Sequence, residues 1–315
     1  MIEFPNLLGG LNIPVQRIAF YIGSVPIYWY GIVISFAFIL SVALGLKTCK
    51  KYDIKQNDIV DIALYATIAA IIGARLYYVA FSWSEFEGNL LNIINTRTGG
   101  LAIYGGVIGA FAAVFIVCKI KKIKALKILD FGVPYLVLGQ AIGRWGNFFN
   151  QEAFGTNTTL PWGMKGDGIT TSLSIMQQNG INVDPSLPIH PTFLYESLAC
   201  LLIFVILVFA RRRKKADGEV LALYLILYGA ARFFIEGLRT DSLMLGSFRV
   251  SQVLSAALVA VFLAFFILIK VKNRKPKEPD EQEEYISILE EILESKKSKD
   301  AKASGDPEEK NNQDN

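Results

Sequence analysis

Four polar residues lie on one face of a predicted helix that is otherwise apolar. They are separated by four, three and four residues, which is helical spacing, and they are Gln140, Arg144, Asn147 and Gln151. An arginine in an apolar membrane segment costs about 2.5–3.5 kcal/mol on insertion scales, so it normally faces a partner or a polar cavity. Arg144 therefore predicts either an ion pair with an acid inside a helix bundle or a site for an anionic ligand.

A second polar face occurs in a later apolar segment, residues 218–237. Its members recur every three or four positions, and they are Tyr228, Arg232, Glu236 and Arg239. Taken alone, Arg232 and Glu236 are an ordinary ion pair one helical turn apart. Guanidinium groups also bind phosphate oxygens through paired hydrogen bonds, so several arginines at one depth favour an anionic ligand such as a lipid head group.

The composition is that of a membrane protein with several spans. The chain has 315 residues, of which 52% are hydrophobic and 19% charged, and its mean hydropathy is +0.38. These values are too apolar for an average soluble protein. The three cysteines show no paired spacing, and His190 is the single histidine, which excludes a histidine-rich metal centre.

Seven apolar segments predict seven membrane helices. Each is about 19–24 residues long, enough to cross a hydrocarbon layer of about 30 Å. They cover residues 27–46, 59–81, 99–118, 128–149, 192–210, 218–237 and 248–271. Because these segments are too long and continuous for barrel strands, we expect an all-α integral membrane protein.

Lysines and arginines cluster after the first, third, fifth and seventh segments and are sparse in the other loops. The positive-inside rule then predicts an N-terminus outside the cell and a C-terminus in the cytoplasm. Four basic clusters that alternate with the spans favour this topology over a nucleic-acid surface. In this topology polar residues of several spans meet in the outer third of the membrane, among them Tyr30, Tyr104, Arg144 and Arg232.

Two stretches lie outside the apolar pattern. Residues 151–191 are rich in glycine and proline and predict a small outer-face head of turns and short elements between spans four and five. Residues 273–315 predict a charged cytoplasmic tail, with an amphipathic helix around Tyr285 to Leu293 and disorder after Ser295. The spans and the head together form a predicted domain of residues 1–272.

The segment from Gly143 to Gly155 carries a longer pattern, G-R-x-G-N-F-x-N-x-E-x-x-G. This pattern resembles the signature of the bacterial prolipoprotein diacylglyceryl transferases. Further matches to that family lie at residues 29–31, 73–76, 99–106, 190–196 and 228–239. The resemblance covers about residues 15–271 and leaves the tail outside.

The resemblance implies seven membrane helices with an outer-face head in the bacterial cell membrane. It also implies a reaction: the diacylglyceryl group of phosphatidylglycerol moves to the lipobox cysteine of a prolipoprotein. The products are a thioether and glycerol 1-phosphate, and the step is the first in lipoprotein maturation. The implied partners are phosphatidylglycerol and prolipoprotein signal peptides, and no metal, organic cofactor or nucleic acid is implied.

Phosphate charge grows as the glycerol C–O bond breaks, and fixed cations in a water-poor cavity stabilise such charge. We assign this role to Arg144 and Arg232, with Glu152 and Glu236 orienting them. Further site positions are carried over from the matching family motifs, and these are Tyr30, Asn147, Gly155 and Tyr228.

Tyr104 departs from the family pattern, because many members carry a histidine at this position, proposed there as the base for the thiol. A histidine with a pKa near 6.5 is a good base at pH 7, whereas a tyrosine with a pKa near 10 is a poor one. Nearby arginines could stabilise a phenolate, or His190 could supply the base. Alternatively, a cysteine in a cationic site needs no dedicated base. We favour the last explanation, with Tyr104 as a hydrogen-bond donor.

Two other classes of protein fit less well. A transporter for a lipid or an anionic solute would need a polar path to the inner leaflet. The inner halves of the spans are apolar here, and inverted repeats are not evident. A scaffold without chemistry leaves the buried arginines unexplained.

Overall fold

The computed structural model describes residues 1–7, 9–88, 90–96, 99–240, 244–246, 248–273, 285–286 and 288–296. The chain divides into two compact units, residues 1–269 and 270–315. The helices are α1 (Trp29–Thr48), α2 (Gln56–Phe81), α3 (Ile103–Ile120), α4 (Ala125–Asn150), α5 (Asp167–Gln178), α6 (Thr192–Arg213), α7 (Glu219–Glu236) and α8 (Val250–Lys272). The strands are β1 (Ile2–Phe4), β2 (Leu11–Ile13), β3 (Ile18–Ile22), β4 (Val25–Tyr28), β5 (Lys165–Gly166), β6 (Met244–Leu245) and β7 (Phe248–Arg249).

Six of the described helices are long and apolar enough to cross a membrane, namely α1, α2, α3, α4, α6 and α8. Helix α7 has 18 residues, so its length fits a span as well, but it carries Glu219, Arg232 and Glu236. The prediction of long apolar membrane helices is therefore confirmed for six segments. A seventh span through α7 stays a prediction.

Helices α1 and α4 pack closely because glycines of α4 face α1. A Cβ atom on Gly146 would lie 2.6 Å from the ring of Tyr30, and one on Gly143 would lie 3.1 Å from Ile34. Small residues permit this approach of two helix backbones. The packing brings Tyr30 against the end of α4 that carries Arg144.

Helix α4 also packs against α6 and α7. The buried side chains at this junction are Val133, Val137, Ala141, Cys200, Ile203, Leu207, Val220, Leu221 and Tyr224. Asp130 of α4 is fully buried and accepts hydrogen bonds from the backbone N–H groups of Gly218 and Leu221. A carboxylate on free N–H groups caps a helix start, so α4 fixes where α7 begins.

The head between α4 and α6 includes the N-terminus of the chain. Strand β1 lies between β2 and β5, and Ile2 pairs with Gly166 across the β1–β5 ladder. Together with α5, these strands surround an apolar core whose fully buried members include Ile2, Ile169, Leu173 and Ile189. The sequence placed the head at residues 151–191 and did not predict this contribution of the N-terminal strands.

In the second unit, residues 285–286 and 288–296 are helical. Their apolar side chains are exposed, as Ile288 and Leu289 show. Disorder was predicted after Ser295, but Lys296 is helical. The rest of that prediction concerns residues 297–315, which lie outside the described part of the chain.

Candidate functional site

Arg144 lies near the end of α4 and is paired with a carboxylate of another helix. Its Nη2 atom is 2.6 Å from Oε1 of Glu196 on α6. Its Nη1 atom donates a hydrogen bond to Oδ1 of Asn147, one turn later, over 3.3 Å. The side chain keeps 23% exposure, so Arg144 has an acidic partner and also an open side.

Glu196 connects two arginines. Its Oε2 atom is 3.0 Å from Nη1 of Arg232 on α7, and its Oε1 accepts a hydrogen bond of 3.1 Å from the hydroxyl of Tyr228. Glu196 is only 3% exposed. A buried carboxylate between two guanidinium groups fixes both of them and offsets part of the cost of burying charge.

The spacing of polar residues along the chain does not predict a role for Glu196. The signal that singled out Arg144 was present at Glu196 too, because both are charged residues inside an apolar segment. Helical spacing predicts partners on the same helix, whereas Glu196 of α6 pairs with arginines of α4 and α7.

Glu236 holds Arg232 from the other side. Its Oε2 atom is 2.5 Å from Nη2 of Arg232 and 3.9 Å from Nε of Arg239. Its backbone carbonyl accepts a hydrogen bond from Arg249, the last residue of β7 before α8 begins. Arg232 therefore lies between two buried glutamates, Glu196 and Glu236. The predicted pairing of Arg232 with Glu236 is observed, while the orienting role of Glu236 in the reaction stays a prediction.

Glu152 has different partners from those predicted. Its Oε1 atom accepts hydrogen bonds from the side-chain amides of Asn147 and Asn150, at 3.0 and 3.1 Å. It reaches Arg144 through Asn147, which in turn contacts the guanidinium. The direct carboxylate partner of Arg144 is Glu196 instead.

The predicted polar face of α4 ends earlier than expected. Helix α4 stops at Asn150, and Gln151 adopts a left-handed conformation with φ of 54°. The Gln151 side chain points to the head, where its Oε1 accepts a hydrogen bond from the N–H of Gly168 over 2.8 Å. The prediction that Gln151 shares a face with Arg144 was therefore wrong, because the backbone turns at that residue.

Gly155 lies at a tight backbone crossing. Its N–H donates to the carbonyl of His190 over 2.9 Å, and it forms an isolated bridge with Arg239. A Cβ atom here would lie 2.8 Å from the Cβ of His190 and 3.0 Å from the carbonyl oxygen of Leu238. This close approach explains the glycine, while the predicted contact with substrate stays a prediction.

A cavity of about 790 Å³ opens beside the arginines. Its polar end is lined by Tyr30, Arg144, Asn147, Glu152 and Arg239. The rest is mainly apolar and runs between α1, α2 and α4. A concave apolar site with a few convergent polar groups is the usual form of a small-molecule site. Arg232, Tyr228, Glu236 and Gly155 are not among the described lining residues.

Tyr104 lies at the start of α3. It is not among the described contacts of Arg144 or Arg232. Its ring is 6.5 Å from that of Tyr77, and the side chain is 42% exposed. The adjacent Ile103 lines the cavity. Arg75 is buried and donates five hydrogen bonds to backbone carbonyls, so its guanidinium is fully engaged there.

His190 lies in the head, just before α6. Its Nδ1 atom is 3.1 Å from the hydroxyl of Tyr195, which also accepts a hydrogen bond of 2.7 Å from Trp162. Burial lowers the pKa of His190, so the ring is neutral at pH 7. Among the described residues that line the cavity, His190 is not found.

Known proteins are similar to this chain over most of its length. A family model described as prolipoprotein diacylglyceryl transferase matches residues 17–268. A protein of Finegoldia magna is 45% identical over 262 residues, which are 83% of this chain and 97% of that protein. A protein of Clostridioides difficile is 43% identical over 260 residues, covering 82% of this chain and 98% of its own.

A protein of Bacillus cytotoxicus is 42% identical over 271 residues, covering 86% of this chain and 98% of its own. All three relatives are named phosphatidylglycerol–prolipoprotein diacylglyceryl transferase. The resemblance found in the sequence is thus confirmed over the part of the chain that contains α1 to α7 and most of α8. The chain belongs to the prolipoprotein diacylglyceryl transferase family.

Proposed function

We propose that this protein transfers the diacylglyceryl group of phosphatidylglycerol to the thiol of a prolipoprotein's lipobox cysteine. Family membership and the names of the relatives support this reaction. The observation that carries it in the structure is one cavity with arginine at its polar end and an apolar lining elsewhere. This arrangement suits a lipid with a phosphate head group and two acyl chains.

The reaction forms one bond and breaks another. The thiolate sulfur attacks the glycerol carbon, the C–O bond to phosphate breaks, and glycerol 1-phosphate leaves with the electron pair. The cysteine proton is lost to solvent or to a nearby acceptor. Since no group is oxidised or reduced, the protein has to stabilise the growing phosphate charge and hold the two substrates together.

We assign the stabilisation of that charge to Arg144 directly and to Arg232 through their shared partner Glu196. Arg144 lines the cavity, and Arg232 is joined to it through Glu196 at 2.6 and 3.0 Å. Because Glu196 and Glu236 hold the guanidinium groups before the lipid binds, little reorganisation is needed when charge develops. Asn147 and Tyr30 at the same end of the cavity are positioned to contact the head group.

Deprotonation of the substrate thiol has to differ from that in family members with a histidine, because this chain has Tyr104 at that position. The cysteine thiol, with an ordinary pKa of about 8.5, ionises to a few per cent at pH 7, and a cationic site raises that fraction. Tyr104, exposed beside the cavity residue Ile103, then serves as a hydrogen-bond donor to the lipid or thiol.

The proposed orientation puts the arginine end of the cavity at the outer leaflet. Alternating basic loops support an N-terminus outside and a C-terminus in the cytoplasm. We infer that helix α7 is a seventh span. Its glutamates Glu219 and Glu236 are only 5% and 2% exposed, so both face protein and not lipid. Ionisable residues in a span normally face the bundle interior.

The test uses purified full-length protein in phosphatidylglycerol nanodiscs with a synthetic lipobox peptide. Mass spectrometry should show a peptide heavier by one diacylglyceryl group. The matched controls are a peptide with serine in place of the cysteine and discs of phosphatidylethanolamine, and neither should give the adduct. A folded protein that gives no adduct in phosphatidylglycerol discs would refute the proposal.

A further inference from the structure

The cavity continues along α4 well past the arginine cluster. Its lining residues on α4 recur at helical spacing down to the start of the helix, at Gln140, Gly139, Leu136, Tyr135, Gly132, Phe131 and Ile128. Helices α1 and α2 complete the wall, with Ser41, Gly45, Ile59 and Ile62 among the described lining residues. We call the deep end formed by Gly45, Ile128, Phe131, Gly132 and Tyr135 the groove floor.

We propose that the groove floor sets the longest acyl chain that the enzyme accepts from its donor lipid. This inference rests on the proposed function, since it needs phosphatidylglycerol to be bound with its phosphate at Arg144. The occupant is an acyl chain because the groove is apolar and joins the arginine end without a break in its lining.

The length of the groove fits one leaflet. Gly132 precedes Arg144 by twelve residues on α4, which is about 18 Å along a helix axis. One leaflet is half of a hydrocarbon core of about 30 Å, so its acyl chains extend about 15 Å. A chain whose head group lies at Arg144 therefore ends close to Gly132.

Contacts with α6 and α1 hold the two aromatic rings of the groove floor in place. The rings of Phe131 and Tyr135 are 3% and 7% exposed. The guanidinium of Arg211 lies 5.4 and 4.9 Å from their centres. It also donates hydrogen bonds to the Phe131 carbonyl and the Tyr135 hydroxyl, at 2.9 and 3.0 Å. The Tyr135 hydroxyl has a second partner in Thr48 of α1.

Because both rings are fixed, they limit the depth of the groove instead of moving aside for a longer chain. The floor therefore acts as a stop for the chain end, and its position depends on residues that play no part in binding the head group.

A substitution at Gly132 can reduce the depth of the groove. It lines the groove, and a Cβ atom added to it meets no heavy atom within 4 Å. A Cβ atom therefore fits here without displacing protein atoms, and we expect a leucine side chain to extend from it into the groove. Leucine also favours helix more than glycine does, so Gly132→Leu should fold.

The experiment gives native protein and Gly132→Leu an equimolar mixture of dilauroyl- and distearoyl-phosphatidylglycerol with a lipobox peptide. The readout is the ratio of distearoyl to dilauroyl adduct. Each methylene excluded from an apolar site costs roughly fourfold in an equilibrium constant. Gly132→Leu should therefore lower the ratio by at least about tenfold, and Gly132→Ala by about fourfold.

Ala112→Leu is the matched control, since Ala112 is exposed on α3 and is not among the described lining residues. Its adduct ratio should equal the native ratio. An unchanged ratio in Gly132→Leu and Gly132→Ala, or equal losses with both donors, would overturn the inference. Absence of adduct from both donors with folded native protein would instead refute the proposed function itself.

Discussion

Arg75 and Arg144 are both arginines of membrane helices, and their surroundings are opposite. Arg75 is 7% exposed, and its donors are taken by five backbone carbonyls between residues 92 and 100 at 2.6 to 3.0 Å. Arg144 is held by the side chains of Glu196 and Asn147 and lines a cavity. The first arrangement organises a loop, and the second leaves a positioned cation at the wall of a cavity, where we propose that the lipid phosphate binds.

The comparison shows how to separate structural from functional arginines in a membrane protein. Burial alone does not distinguish them, because a buried arginine needs partners in either case. The distinction lies in the kind of partner and in whether the group borders a cavity. We therefore expect substitutions in the two regions to separate activity from stability.

The largest effect is expected at Arg144. Arg144→Lys keeps the charge but loses the planar fork, which contacts Glu196 and which we propose binds the phosphate. We expect kcat/KM for adduct formation to fall by at least about a hundredfold, the size of losing one transition-state donor. Near-native transfer by folded, inserted Arg144→Lys or Arg144→Ala would remove Arg144 from the mechanism.

A smaller loss is expected at Glu196, which positions both arginines. Glu196→Gln keeps the shape and a hydrogen-bond acceptor but removes the charge, so the guanidinium groups lose alignment. We expect kcat to fall about tenfold to a hundredfold, in line with the sensitivity of catalysis to misplaced groups.

Glu219→Gln is the control for that loss. Glu219 is a buried glutamate that accepts hydrogen bonds from the backbone N–H groups of Lys215 and Ala216 before α7. Activity per folded molecule should stay native in this variant. Equal losses in the two variants would mean that any buried glutamate of the bundle matters in the same way.

At Tyr104 we expect a moderate effect. Tyr104→Phe removes one hydrogen-bond donor and should lower the rate about threefold to tenfold, with a smaller loss in His190→Ala. The rate should also rise above pH 7 as the substrate thiol ionises. Burial lowers the pKa of His190, so titration of that ring would produce a rise below pH 6.5 instead.

A loss of several thousandfold in stably inserted Tyr104→Phe would point to an obligatory tyrosine base. The pH profile of the variant separates the two cases, because a hydrogen-bond donor can be lost without changing the profile's midpoint.

The smallest effect on activity is expected at Arg75. Arg75→Lys loses most of five hydrogen bonds to carbonyls, so the melting temperature should fall by roughly 5 °C. Adduct formation per folded molecule should stay within about threefold of native. A native melting temperature with a hundredfold loss of transfer would place Arg75 in the active site and break the comparison.

Sequence alone was enough for the parts that depend on local pattern. Hydropathy located the long helices, and helical spacing put Arg144 with Asn147 and Arg232 with Glu236. These are contacts within one helix, which spacing specifies directly.

The rest depends on how helices meet, which spacing does not specify. The bridge through Glu196 joins α4, α6 and α7, and the N-terminal strand β1 joins the head through β5. The direction of the Gln151 side chain depends on a left-handed backbone conformation that the residue types did not predict. The groove and its floor likewise arise only when α1, α2 and α4 are packed together.

The most direct test of the central claim follows both products of one reaction. Purified native protein and Arg144→Lys are given phosphatidylglycerol and a lipobox peptide, and the adduct and glycerol 1-phosphate are quantified together. The account predicts that native protein releases one glycerol 1-phosphate for each adduct and that Arg144→Lys loses both products in parallel. Adduct without glycerol 1-phosphate, or equal yields from the two proteins, would contradict it.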